Sequence, residues 1–205
     1  MPQSSKRGRP AGTSSEATYG RIISAARRVF SERGYAATQN RAVAEQASVT
    51  ASALYHYFDS KLDLYVAVFQ QAEALVAGRY RAAVEHAEGP KHAIALVLDA
   101  ARTLYREDST VPTFLAGVPI EMRNDPDVSS AIADCEITTA EVLLDVFENA
   151  GARGQLGDDA TSSGLAAVLF ACTTGIALFA QTPMGFTYDQ MLDAFAQLAG
   201  ETAFR

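Results

Sequence analysis

Residues 34–61 read GYAATQNRAVAEQASVTASALYHYFDSK, and this stretch decides the fold. Two short amphipathic segments flank a tight turn at Ser48-Val49. In the first, Thr38 is placed to cap a helix whose Val43, Ala44 and Ala47 share one inward face. In the second, Thr50 caps residues 51–57 and Leu54 turns inward. Helices that cross closely need small side chains, which Ala44, Ala47 and Ala53 supply. Two short helices joined by such a turn and packed on a longer one make a helix-turn-helix. Its second helix enters the major groove of DNA only if the backbone approaches closely, so short side chains are needed at its start. Thr50, Ala51 and Ser52 meet that need. Tyr55 and His56 follow one turn later, within reach of phosphate. Lys61 opens a fourth helix, where free N–H groups and the helix dipole already favour an anion.

Upstream, Tyr19, Ile22, Ile23, Ala26, Val29 and Phe30 follow the spacing of one buried helix face. That first helix is expected to begin near Thr13, with Glu16 completing a capping box, and to end at Gly34, where positive φ suits glycine. Ahead of it, residues 1–12 form a flexible basic arm with nothing to bury. Its Arg7-Gly8-Arg9-Pro10 is similar to the core of an AT-hook, which lays arginine into a narrow minor groove. Non-specific attraction to phosphate is the alternative reading of Arg7 and Arg9. The formal net charge of −7 argues at first against a nucleic-acid partner, but residues 1–61 hold nine Lys/Arg against four Asp/Glu. A basic head on an acidic body points one face toward phosphate, with salt-dependent affinity.

Gly34-Tyr35-Ala36-Ala37-Thr38, Val43 to Thr50, Ala53 to Phe58, and Ser60-Lys61 together resemble the signature of the TetR family of bacterial one-component regulators. The resemblance implies an all-α fold of about nine helices. An N-terminal three-helix DNA-binding domain, 13–61, would precede a C-terminal helical effector-binding and dimerisation domain, 62–205. It implies base-edge or groove contacts by Gln39, Arg41, Thr50, Ala51 and Ser52, and phosphate contacts by Thr38, Tyr55, His56 and Lys61. The Ala51 methyl could meet a thymine methyl. One departure is Ser48, where the family usually has glycine; positive φ there would cost about 1 kcal/mol. The resemblance further implies a dimeric repressor on a double-stranded DNA operator, released by a small-molecule effector; an activator or an effector-independent DNA-binding protein is the alternative.

Downstream the pattern stays helical. Gly89-Pro90 is the clearest break, and Pro90 opens a helix over 91–107 with Ile94, Val97, Leu98, Ala101, Leu104 and Tyr105 inward. Pro119 should kink or split the helix over 111–123. Asn124-Asp125-Pro126 starts a long helix to about 149, the glycine-rich loop 151–157 follows, and helices over 158–181 and 187–201 complete the chain. Helix 158–181 is apolar nearly all round and should be covered on two sides. Ala167, Ala171 and Gly175 form a small-residue seam on it, Gly164 belongs to the neighbouring row with Ala160, Val168 and Cys172, and Met191, Leu192 and Phe195 form a stripe on the last helix. These are expected to pair with a second copy in a four-helix homodimer interface, which requires a pseudo-palindromic operator. Tyr105, Phe114, Leu115, Val118, Met122, Thr139, Phe147, Phe170 and Cys172 are candidate effector contacts. With no basic residue on these stripes, a neutral or cationic apolar effector is favoured.

Other function classes find little support. His56, His86 and His92 have no metal-ligand spacing, and Cys135 and Cys172 form no CxxC pair. Asp125, Asp127, Asp158 and Asp159 sit beside helix starts, where acids ordinarily cap. No phosphate-binding glycine loop or GxSxG elbow appears, so no enzyme, metal or cofactor is expected. No charge-free apolar run of membrane-spanning length is expected, nor a secretory signal, which places the protein in the cytoplasm.

Overall fold

The computed structural model describes the backbone of residues 11–158 and 160–202, and the side chains of 15–158 and 160–199. The arm with Arg7 and Arg9 lies outside the described residues, as does Asp159. Ten helices and no strand element are present among the described residues. Two compact units divide the chain, one ending at Val68 and the other starting at Phe69.

The first unit holds α1 (Ala11–Ala37), α2 (Asn40–Gln46), α3 (Ala51–Tyr57) and the start of α4 (Lys61–Val84). The α1 helix is already under way at Thr13, two residues earlier than the capping pattern suggests. Ile22, Ile23, Ala26, Val29 and Phe30 are buried as their spacing requires, but Tyr19 is exposed. Its ring stacks on Phe58 at 5.4 Å instead of entering the core. Gly34 takes φ 74° and interrupts α1, so the chain turns before a last short coil. Phe30, Tyr35 and Tyr65 form an aromatic cluster, with Phe30–Tyr65 and Tyr35–Tyr65 edge-on at 5.0 and 5.1 Å.

The second unit contains the rest of α4, then α5 (Pro90–Glu107), α6 (Thr110–Asn124), α7 (Pro126–Ala133), α8 (Thr138–Ala152), α9 (Ser162–Phe179) and α10 (Tyr188–Thr202). α8 packs along α9, α10 along α5 and α9, and α6 on α7 and α9. Pro90 stands in the first turn of α5, and Asp125 caps α7 by accepting from the Asp127 and Val128 amides. Thr187 and Gln190 form a reciprocal capping box at the start of α10. Arg102 and Arg106 on α5 pair with Asp189 on α10 at 3.0 and 2.7 Å, and Arg102 also meets Asp193. The Arg106 hydrogen bond foremost holds the Asp189 carboxyl below its usual range.

Three expectations for this unit need correction. α6 runs unbroken through Pro119, whose missing N–H removes one rung from the ladder without ending the helix. The long helix expected over 126–149 is instead two helices, broken at 134–137. α9 starts at Ser162, not 158, because Thr161 caps it by accepting from the Gly164 amide at 3.1 Å. In addition, Ser162–Phe179 is by length and composition apolar enough to cross a membrane, contrary to the reading of the sequence.

Candidate DNA interface and effector cavity

On α3, Leu54 points fully inward while Ala51, Ser52, Tyr55 and His56 lie exposed. Spacings of one and four residues put those four on a single helix face. Short side chains occupy its first turn and rings its second, Tyr55 being 53% exposed. Thr50 Oγ1 accepts from the Ala53 amide at 3.1 Å, so the hydroxyl caps the helix and keeps its proton free to donate. Tyr57, behind this face, bonds to Ser15 through its hydroxyl and so fastens α3 to α1. Gln39 is the exposed N-cap residue of α2 and makes no capping bond with its side chain. Arg41 is exposed and paired with Glu45 at 3.0 Å across one turn, an exchangeable surface pair.

Two candidates for phosphate contact have bonds within the head. Thr38 is only 2% exposed, and its hydroxyl donates to the Gly34 carbonyl at 2.7 Å. It does not cap α2; it locks the end of α1. The Lys61 ammonium donates to the Tyr35 carbonyl at 2.8 Å and lies 4.1 Å from the Tyr35 ring centroid. It closes the last carbonyls of the α1 segment, a cation at a helix C-terminus, and is part of the head's internal structure.

In the second unit a cavity of about 130 Å³ is walled by α4 to α10. Of the sequence-predicted residues, Leu115, Val118, Met122, Thr139 and Phe170 line it. Phe114 and Phe147 do not: both are buried in helix packing. Tyr105 instead stacks flat on Tyr188 at 3.9 Å and accepts from Gln181. Cys172 is half-buried on α9, away from the lining.

The lining also contains residues that the sequence reading passed over: Phe69, Glu73, Tyr80, Thr173 and Tyr188. Glu73 is the only charged residue among those that line the cavity. It is buried, and one oxygen accepts from the Thr139 amide at 3.1 Å. Burial pushes its carboxyl above the usual range, while Thr139 pulls it part of the way back. The Thr139 hydroxyl is itself buried and makes no hydrogen bond of sound geometry. Burial also raises Tyr80, and moves Tyr188 up to about 12, so both hydroxyls keep their protons. Glu73 did leave a trace in the sequence: it lies between Phe69 and Val76 on the apolar stripe of α4.

Among the expected interface residues, Gly164, Ala167 and Ala171 are exposed and Gly175, Met191 and Phe195 half-exposed. Leu192 is 0% exposed and belongs to its own protomer's core, a correction. Val168 at 55% and Leu198 at 67% extend the uncovered apolar surface. No group of three or more potential metal ligands occurs among the described residues.

Residues 22–68 match the family model of the bacterial regulatory proteins of the tetR family. UidR, an HTH-type transcriptional regulator of Escherichia coli (strain K12), is 23% identical over 164 residues, 80% of this chain and 82% of UidR. Two solved structures share the fold. FadR of Bacillus subtilis, solved with stearoyl-CoA, has TM-score 0.75 at 20% identity over 89% of this chain and 98% of that one. A transcriptional regulator of Saccharomonospora viridis, solved with choline, has TM-score 0.73 at 18% identity over 93% of this chain and 99% of that one.

Proposed function

We propose that this TetR-family transcriptional regulator acts as a homodimer that reads a pseudo-palindromic operator with α3 and leaves it when a small apolar effector enters the second unit. The observation that carries the reading is the exposed face of α3, with Ala51 and Ser52 short enough for groove entry and Tyr55 and His56 one turn on. Gln39 and Arg41 flank it at the start of α2. Repression follows if the operator overlaps a promoter. Release requires that the effector bind one state of the protein more tightly than the other.

The dimer reading is supported by α9. An apolar helix of which 28% is buried is a poor solvent-facing element. Gly164, Ala167, Val168 and Ala171 form its uncovered stripe, and an added Cβ at Gly175 would meet nothing within 4 Å of its own chain. A second copy of α9 and α10 is the simplest cover, and it would keep this helix out of a membrane. The cavity's neighbours in fold do not choose the effector: stearoyl-CoA in one and choline in the other carry opposite charges.

Selection of bound duplexes from a random DNA pool, followed by salt titration, tests the reading. The expected outcome is one two-fold-related motif, bound with a slope of log affinity against log salt equivalent to several phosphates. Recovery of unrelated sequences with equal affinity would refute operator recognition.

A further inference from the structure

We propose that the effector is a protonated amine with a compact apolar body, its ammonium held by the Glu73 carboxylate and the Thr139 hydroxyl. The proposal rests on the cavity being the effector site and names the chemistry that site selects.

The cavity offers almost no polar lining, yet Glu73 stands in its wall with no cationic residue among those lining it. A buried carboxylate without a positive partner is costly, and the single amide of Thr139 only partly relieves it. That amide takes one carboxyl oxygen. Beside it the Thr139 hydroxyl is buried and makes no hydrogen bond of sound geometry, its polar neighbour being the Glu73 carboxyl itself, although an oxygen in such a place is nearly always well paired. An ammonium N–H set satisfies both acceptors at once and supplies the missing charge. Phe69, Tyr80, Phe170 and Tyr188 bring four aromatic rings to the same lining, a composition that suits a cation wherever a ring face is open to it. A carboxylate or phosphate would instead place a second negative charge beside Glu73. Volume limits the rest of the molecule: apolar cavities of about 150 Å³ admit a guest the size of benzene, and this one is about 130 Å³. The body should be a single ring or a short branched chain.

Three probes of matched shape separate the possibilities on the full chain: cyclohexylmethylamine, cyclohexylmethanol and cyclohexanecarboxylate, compared by calorimetry at neutral pH. The amine should bind at least about tenfold more tightly than the alcohol, and the carboxylate weakest. In Glu73→Gln the amine should fall to the level of the alcohol, which still binds. In Thr139→Val the amine should lose part of its lead. Equal binding of amine and alcohol to the unaltered protein, or an amine preference that survives Glu73→Gln, overturns charge selection by Glu73 and leaves the cavity as effector site intact. If none of the three probes binds, the proposal and the effector reading of the cavity fail together.

Discussion

Ser48 holds φ at 54°, a left-handed backbone that an L side chain enters at a cost of about 1 kcal/mol. Its amide and that of Val49 bond to the Glu45 and Ala44 carbonyls, so the turn keeps its shape despite the strain. Ser48→Gly is expected to raise the stability of the head by about 0.5–1 kcal/mol, read as a shift in the denaturant midpoint; an unchanged or lower midpoint would show that the serine is already relaxed. A second residue bears on pH. Glu73 shares the cavity lining with Tyr80 and Tyr188, and the depression beside 134–138 with Cys135, Asp134 and Glu136. Its carboxyl is raised by burial above 4.5, so the folded state holds this proton more tightly than the unfolded chain. The resulting stabilisation is complete below 4.5 and is lost as pH rises through the raised value. Glu73→Gln should therefore increase thermal stability at neutral pH and flatten its fall between acid and neutral. A variant whose melting profile tracks the parent at every pH would contradict this.

At the scale of elements, the helix-turn-helix is legible because its information is local. Gly34, Thr50 and the small residues Ala44, Ala47 and Ala53 lie within a few turns of one another, and each acts through neighbours in sequence. The break between α7 and α8 is not legible in that way, since no glycine or proline marks 134–137. Starting α8 at Thr138 frees the Thr139 amide, and the acceptor that takes it is Glu73, 66 residues away in sequence. Separation in sequence likewise hides Lys61 as the cap of α1, its acceptor Tyr35 lying 26 residues away. Leu115, Val118 and Met122 were readable because one apolar face of α6 carries all three, whereas Phe114 and Phe147 show that size and apolarity alone do not separate lining from core. For α3, the double use of Thr50 gives a measurable split. Thr50→Ser retains the acceptor and the donor, so stability and DNA affinity should stay near the parent. Thr50→Val keeps the shape but loses the cap, about 1 kcal/mol of stability, and the donor toward DNA. If both variants bind the selected operator alike, Thr50 makes no contact with DNA.

At the scale of the whole molecule, two-fold assembly and DNA affinity should rise and fall together. Ala171→Arg puts a long cation into the exposed seam of α9 without touching the protomer core. Sedimentation should then report the 21.8 kDa protomer, and binding to the full palindrome should drop by at least about a hundredfold, while a single half-site is bound as before. A dimer that persists in this variant would move the interface elsewhere. Pro119 has a different reach. It sits inside α6 and in the cavity wall, so the Leu115 carbonyl lacks its usual intrahelical donor at the point where the wall faces an occupant. A helix with a missing rung yields locally more easily than its neighbours. A guest that fills the resting space should thus enter by bowing α6 outward. Amide deuterium uptake along 116–123 should report that breathing directly, fast in the empty protein and slowed once the space is filled.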